Sequence, residues 1–365
     1  MFSLSRRQFL ALAAGRLSGP EWKRYADPAT ELEVVRLTDP AFASGMTAAH
    51  LRQFTRRGES LLYWSERYAS EIPGDSPGAR QAFVLDLKQG ESRQLTEAAA
   101  LDPFTLSLSP DERSFVFFDG RSLNESPLAT VHPREIHVVP ENAVRTGLAI
   151  ATDGTVLFSE RENGKSRIVG VLRQQSRRIV DTDQEVEELM ARPRHAQILY
   201  RVRGDSPGGP FWLVNSDGSG KRQLKTEPGQ TGSALWIPSG RTLIYLHIPD
   251  NAKELITLRE HAPDDGTDKL LAKTSQFISA SPNADASVFT GASRSRATAY
   301  ILILLRVARR ELTLCEHRAS DPAMVNPVFS PDSQSILFVS DRHGRPALYQ
   351  VRVSRFVEET SADAQ

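Results

Sequence analysis

Apolar and polar residues alternate along this chain in short bursts, broken by turns that return at a nearly regular interval. Leu108-Ser109-Pro110-Asp111 runs into Phe115-Val116-Phe117-Phe118, and Phe329-Ser330-Pro331-Asp332 runs into Ile336-Leu337-Phe338-Val339. Weaker copies turn at Arg57-Gly58, Asp153-Gly154, Arg194-His195, Ser239-Gly240 and Asn283-Ala284. From Arg57 the steps to Asp111, Asp153, Arg194, Ser239, Asn283 and Asp332 are 54, 42, 41, 45, 44 and 49 residues. Short alternating runs bounded by such turns predict strands. A period of about 45 residues predicts one four-stranded blade per repeat. Seven copies therefore predict an all-β chain folded as a seven-bladed β-propeller.

Within each repeat a tight hairpin is expected. Phe83 to Leu87 turns at Gln89-Gly90 and returns through Arg93 to Thr96, and Phe211 to Asn215 turns at Asp217-Gly218 and returns through Lys221 to Leu224. Leu32 to Thr38 reads as the outermost strand of a blade whose other strands lie elsewhere, and Ala347 to Val353 closes a blade lacking that strand. Pairing of these N- and C-terminal strands would close the ring and remove the open edges of the sheet. Ala299 to Val307, the longest apolar stretch, is too short to cross a bilayer and reads as a buried inner strand. Ser70 to Pro77, Ser122 to Pro133 and Gly204 to Pro210 read as loops inserted within blades, where propellers carry their function.

Composition narrows the function only slightly. The 365 residues carry 45 Lys+Arg against 45 Asp+Glu, so no net field draws the chain to nucleic acid or to an anionic membrane, and no membrane span is expected. Residues 1–20 read as an export leader, 21–358 as the propeller and 359–365 as a polar tail. The leader rests on Ser5-Arg6-Arg7-Gln8-Phe9-Leu10, which has the twin-arginine pattern, followed by a short apolar stretch that Arg16 interrupts. It implies a periplasmic or otherwise exported protein; a basic leader on a cytoplasmic protein is the alternative.

The familiar chemical motifs are absent. There is no Gly-rich phosphate loop, no Gly-x-Ser-x-Gly elbow and no His-Glu-x-x-His helix. The eight histidines are dispersed, without the close pairs of a strand-borne metal site. The single cysteine, Cys315, reads as a buried structural thiol with His317 nearby on the same strand. Asp181, Asp183, Glu185, Glu187 and Glu188 form an acidic run that reads as a solvated face rather than a cation site. Arg294 and Arg296 could together clamp a carboxylate, although surface arginines more often clamp nothing.

Four phrases carry a resemblance. Tyr25-Ala26-Asp27-Pro28 leads to Val35-Arg36-Leu37-Thr38, and Phe211 to Gly218 reads Phe-Trp-Leu-Val-Asn-Ser-Asp-Gly. Leu235-Trp236-Ile237-Pro238-Ser239-Gly240 follows, and Asn326-Pro327-Val328-Phe329-Ser330-Pro331 runs to Ser340-Asp341. In these the chain resembles the oligogalacturonate lyases, propellers that split pectin fragments by β-elimination. The Ser-Pro-Asp turns and the phrase around Asp217-Gly218-Ser219 are also similar to the Tol system's periplasmic propeller, a binding protein.

The lyase resemblance implies a catalytic histidine, a catalytic arginine, and manganese held by a glutamine and histidines. The positions it marks here are Ser233 for the base, Pro210 for the arginine, and Asp321, Met324 and Asn326 for the metal, with a further metal histidine near Ile278 or Ser279. The family's own parts are missing there: a serine hydroxyl is no base alone, and proline and methionine neither donate to an enolate nor hold a hard cation. The expectation is a lyase-like propeller without catalytic residues or cofactor, binding an acidic oligosaccharide or a protein partner. Ser233, Asp321, Asn326, Arg203, Arg294 and Arg296 are the candidate ligand-binding residues. The alternative is an active oligogalacturonide lyase with a relocated site, in which Asp321, Asn326, Arg203, Ser233 and one histidine converge on one mouth of the channel.

Overall fold

The computed structural model describes residues 21–67, 79–204, 208–251, 253–274, 277–295, 297–354 and 356. The leader, the loop read at Ser70 to Pro77, Arg296 and the polar tail lie outside the described residues.

Among the described residues seven antiparallel sheets follow one another along the chain, six of four strands and one of five. Blade 1 runs from Ser44–Gly45 to Ser92–Gln94, blade 2 from Ser107–Leu108 to Arg134–Val138, and blade 3 from Val144–Ile150 to Gln175–Thr182. Blade 4 runs from Val186–Ala191 to Arg222–Gln223, blade 5 from Gln230–Trp236 to Thr267–Lys273, and blade 6 from Ser281–Pro282 to Arg310–Glu316. Blade 7 takes Val328–Phe329, Ser335–Ser340 and Ala347–Arg352 from the end of the chain and Glu33–Arg36 from its start. Val34 lies opposite Val351, so the expected ring closure is present. The expected outermost position is filled differently: Lys23–Ala26 pairs outside Glu33–Arg36 as a fifth strand.

The repeated phrase owes its form to one backbone requirement. At each inner turn a residue sits in the left-handed region: Gly58, Glu112, Gly154, Arg194, Gly240, Ala286 and Ser333, with φ between 59° and 88°. Glycine meets that need without a Cβ penalty, and where it is missing other bonds hold the turn. The Oγ of Ser109 accepts the Ser114 N–H at 3.1 Å and donates to Asp111 at 2.7 Å; Ser330 does the same with Ser335 and Asp332. The Ser-Pro-Asp phrase is therefore a turn device with no catalytic part.

The core lies between blades, so strands buried on both faces need apolar residues on both. Tyr300–Leu305 shows this: Ile301 and Ile303 pack toward blade 7, while Leu302 and Leu304 join a cluster with Phe277 and Trp236. That stretch is the third strand of blade 6 and not an inner strand, because it lies between Val288–Ala292 and Arg310–Glu316. Ser122 to Pro133 also departs from the expected loop. Ser122–Pro127 is the third strand of blade 2, with Leu123 opposite Phe118 and fully buried.

First and third strands begin on one face of the ring, called upper here, and first strands end at the inner turns on the lower face. Among the described residues no helix is long and apolar enough to cross a membrane.

Candidate functional site

The topology brings the nominated residues to the upper face, on four different blades. Arg203 follows the second strand of blade 4, Ser233 lies in the first strand of blade 5, Arg294 follows the second strand of blade 6, and Asp321 and Asn326 precede blade 7. Among the described residues, no hydrogen bond or ion pair joins any two of them.

Their local roles are mostly structural. Asp321 caps a short 3-10 turn, Pro322–Met324, and accepts the Ala323 N–H at 2.9 Å. Blade 2 repeats the device: Asp102 caps Pro103–Thr105 through the Phe104 N–H at 3.0 Å. The second oxygen of Asp102 holds Arg145 at 2.7 Å, and that guanidinium lies 4.1 Å from the Phe118 ring centroid. Asn326 is half-buried and has a left-handed backbone, φ 38°. Arg203, nominated as a ligand contact, is instead ion-paired with Glu185 at 2.9 Å and Glu187 at 2.8 Å within its own blade. The acidic run is thus answered by arginines of the neighbouring strand, and Glu188 likewise pairs with Arg201 at 3.0 Å. Arg294 is exposed, and its proposed clamp partner Arg296 is outside the described residues.

Ser233 stands in a bulge. The pairing of Gln230–Trp236 with Leu243–Ile248 shifts between Thr231 and Ala234, which throws Gly232 and Ser233 out of register. Two residues not nominated from sequence shape this spot. Arg201, 8% exposed, donates to the Thr231 carbonyl at 2.8 Å and the Gly232 carbonyl at 2.7 Å, and stacks 4.5 Å from the Phe211 ring centroid. Its guanidinium reaches the bulge from the strand beside Pro210, with both Nη atoms bonded to those carbonyls and the Nε buried without a partner. His247 lies directly across from Thr231. Its Nε2 donates to the Pro228 carbonyl at 2.7 Å and its Nδ1 accepts from Thr257 at 3.3 Å. With both ring nitrogens engaged, it has no free lone pair to take a substrate proton. Neither residue had a sequence signal, because each acts across a strand pairing.

Beside this bulge the upper face opens into a cleft of about 720 Å³ between blades 4 and 5. Gly208, Gly209, Pro210, Gln223, Lys225 and Thr231 are among its walls. Hydroxyl and carboxamide groups, Lys225 and the carboxylates of Glu227 and Asp250 make the wall polar, which suits an oxygen-rich ligand, and Glu227 is paired with Arg259 at 2.6 Å. Close approach of the two chain segments requires glycine at its edge. A Cβ on Gly208, φ 75°, would stand 2.1 Å from the Thr231 carbonyl oxygen.

A manganese ion does not fit this donor set. Among the described residues no group of three His, Cys, Asp or Glu could hold a metal. At the marked positions there is one carboxylate, engaged as a cap, beside a thioether and a carboxamide. Such a set is far from the oxygen- and nitrogen-rich shell a hard divalent ion takes.

Cys315 and His317 are also accounted for structurally. Both are fully buried. Burial pushes the thiol far above its usual range and pulls the imidazole down to about 4, so at neutral pH neither is charged and no thiolate–imidazolium pair forms. The Nδ1 of His317 accepts the Ala319 N–H at 3.1 Å. Accordingly, Cys315 is expected to resist a colorimetric thiol reagent in the native protein and to react fully in urea; native labelling at the rate of a free thiol would contradict this burial.

Comparison with known proteins places these observations. Residues 12–164 match the model of the oligogalacturonate lyase family. The chain is 23% identical to an oligogalacturonide lyase of Pectobacterium atrosepticum, covering 90% of this chain and 95% of that one. It is 24% identical to an oligogalacturonate lyase of Dickeya dadantii, covering 94% and 98%. The structure of an oligogalacturonate lyase in complex with manganese superposes with a TM-score of 0.84 at 23% identity, covering 93% of this chain and 98% of that one. An oligogalacturonate lyase from Vibrio parahaemolyticus gives 0.84 at 21% identity with the same coverage. The resemblance to the oligogalacturonate lyase family, first read from four phrases, therefore extends through the whole propeller in sequence and in fold.

Proposed function

We propose that this propeller binds an acidic oligosaccharide of the uronate type in the upper-face cleft, without the metal-assisted β-elimination of its relatives. The observation that carries the reading is the chemistry at the marked positions around that cleft. Elimination needs a base to remove the proton α to a carboxylate and fixed positive charge to hold the enolate that forms. Ser233 supplies neither, Pro210 has no donor, and the nearby guanidinium and imidazole are bonded to backbone carbonyls. What remains is a polar cleft whose wall holds Lys225, Glu227, itself paired with Arg259 at 2.6 Å, and Asp250.

The test pairs two measurements on the purified chain with di- and trigalacturonate, each with and without added Mn²⁺. Ultraviolet absorbance reports the unsaturated product, and calorimetry reports binding. The expected result is a flat absorbance trace together with saturable heat. A metal-dependent rise in absorbance would overturn the non-catalytic reading and establish a relocated active site. A flat trace with no heat would overturn oligosaccharide binding and redirect the search to a protein partner.

A further inference from the structure

Four arginines are buried among the described residues, and three of them are answered by carboxylates. Arg67 pairs with Glu21 at 2.5 Å, Arg192 with Asp264 at 2.6 Å and Arg201 with Glu188 at 3.0 Å. Arg36, 8% exposed, is the fourth. Its guanidinium makes no hydrogen bond and no ion pair with any described residue. Only its Nε is sealed from solvent; the two Nη atoms are not, and they stand free to meet a ligand. Burying a charge is costly unless it is paired and hydrogen-bonded. Arg36 alone of the four lacks a counter-ion.

Its surroundings add positive charge instead. Arg36 ends the strand Glu33–Arg36, on the sheet face by which Val34 packs toward blade 6. Lys23 lies directly across from it on one side and Tyr349 on the other. The Tyr349 hydroxyl meets Nδ1 of His343 at 2.9 Å, and the His343 ring stands edge-on to Tyr25 with 5.5 Å between centroids. Arg342 lies 4.8 Å from the centroid of the same Tyr25 ring and donates to the Glu316 carbonyl at 2.8 Å. Partial burial, then the charges of Arg342, Arg36 and Lys23, hold the His343 imidazole below its usual range, so the three cations bear on one spot. None of the three has a carboxylate within ion-pair distance among the described residues. The acids nearby in sequence are already engaged: Asp341 accepts the N–H and hydroxyl of Ser320, and Glu316 pairs with Arg318. Lys23 and His343 are exposed, which leaves the spot open to solvent.

We propose that this seam between blades 6 and 7 binds a small doubly charged oxyanion of the inorganic phosphate kind. The free Nη atoms of Arg36 hold two of its oxygens, and Lys23 and Arg342 balance the remaining charge. Lys23 and Arg36 come from the start of the chain, Arg342, His343 and Tyr349 from its end, so the anion clasps the two ends that close the ring. The site is independent of the upper-face cleft, which lies between blades 4 and 5.

Thermal unfolding of the full chain tests this, at fixed pH and ionic strength with inorganic phosphate exchanged for chloride. The midpoint is expected to rise by roughly 3 °C at about a hundred times the dissociation constant. Acetate, with one charge, should need at least about ten times the concentration. Arg36→Met removes the charge at similar volume. In chloride it should be at least as stable as the wild type, because an uncompensated charge is gone, and it should lose the response to phosphate. Lys23→Gln, on the exposed outermost strand, should fold normally and weaken phosphate about threefold. In ¹H spectra the His343 ring, assigned with His343→Asn, should titrate at higher pH once phosphate is bound, since the anion offsets the cations around it. A midpoint indifferent to phosphate would overturn the proposal, as would an equal gain in a folded Arg36→Met variant. An Arg36→Met chain less stable than wild type in chloride would mean that the guanidinium already has its counter-ion within the protein, and would overturn it too. Acetate acting at the same concentration as phosphate would overturn the assignment to a doubly charged anion.

Discussion

Replacing Gly240 by alanine is expected to destabilise the protein by at least about 3 kcal/mol, from left-handed strain and overpacking together. Gly240 holds φ 72°, and a Cβ there would stand 2.0 Å from the Pro193 carbonyl oxygen. That atom belongs to the backbone of the adjacent blade, so no side-chain rotation relieves the clash; the two blades must part. Gly154 is the matched control. It has φ 88° in the equivalent turn of blade 3 but nothing within 4 Å of its would-be Cβ. Gly154→Ala should therefore cost only the conformational part, about 1 kcal/mol. Urea unfolding of the two variants reads the difference directly, and equal losses would mean that the approach between blades 4 and 5 is not tight.

The second large effect is expected at Arg192, whose side chain is fully buried in the same junction. Its Nε donates to the Gly240 carbonyl at 2.7 Å and its Nη1 to Gln197 at 2.7 Å. A two-pronged pair reaches Asp264 at 2.8 and 2.6 Å, and Trp236 lies 5.3 Å from the guanidinium carbon. Arg192→Ala removes the fork, leaves a carbonyl and a carboxamide oxygen unpaired, and opens a void; the expected loss is about 3 kcal/mol by urea unfolding. Arg192→Lys should recover only part of it, since an ammonium cannot serve three directions with the same planarity. A loss below about 1 kcal/mol, the ordinary worth of an exposed ion pair, would contradict the role given to this residue. The Arg192 hydrogen bond holds the Asp264 carboxyl below its usual range. A depressed folded pKa stabilises above the unfolded value, and that contribution is lost as pH falls through the folded one. Asp264 is 64% exposed, so solvent screening keeps this acid limb shallow. Because Gly240 and Arg192 share a bond, the double variant should lose less than the sum.

The ring was legible because its period and its turns obey a local rule. Gly58, Gly154 and Gly240 announce the left-handed turn residue, while Glu112 and Ser333 are recognisable only through the serine and aspartate around them. Lys23–Ala26 was missed as a strand because it is short and almost wholly exposed, with no buried face to impose alternation. Ser122–Pro127 was missed for the opposite reason: its polar letters read as a loop, although pairing with Ser114–Asp119 needs only Leu123 and Ser126 buried. The candidate site was legible only as positions. Sequence pointed to Ser233 and Pro210, but the groups beside them, Arg201 and His247, arrive from neighbouring strands at sequence distances that carry no pattern. Arg203 looked free in sequence because its carboxylate partners sit across an antiparallel pairing, 16 and 18 residues earlier.

Blade 7 gives the molecule a fixed order of events during synthesis. Glu33–Arg36 leaves the ribosome long before its partner Ala347–Arg352, with six blades made between them. For most of translation the first strands therefore wait with an unpaired edge, beside six blades that can form in turn. A nascent chain stopped before residue 347 has no way to shut the ring, whatever its other blades have done. Closure of the ring therefore waits on a strand made after the other six blades.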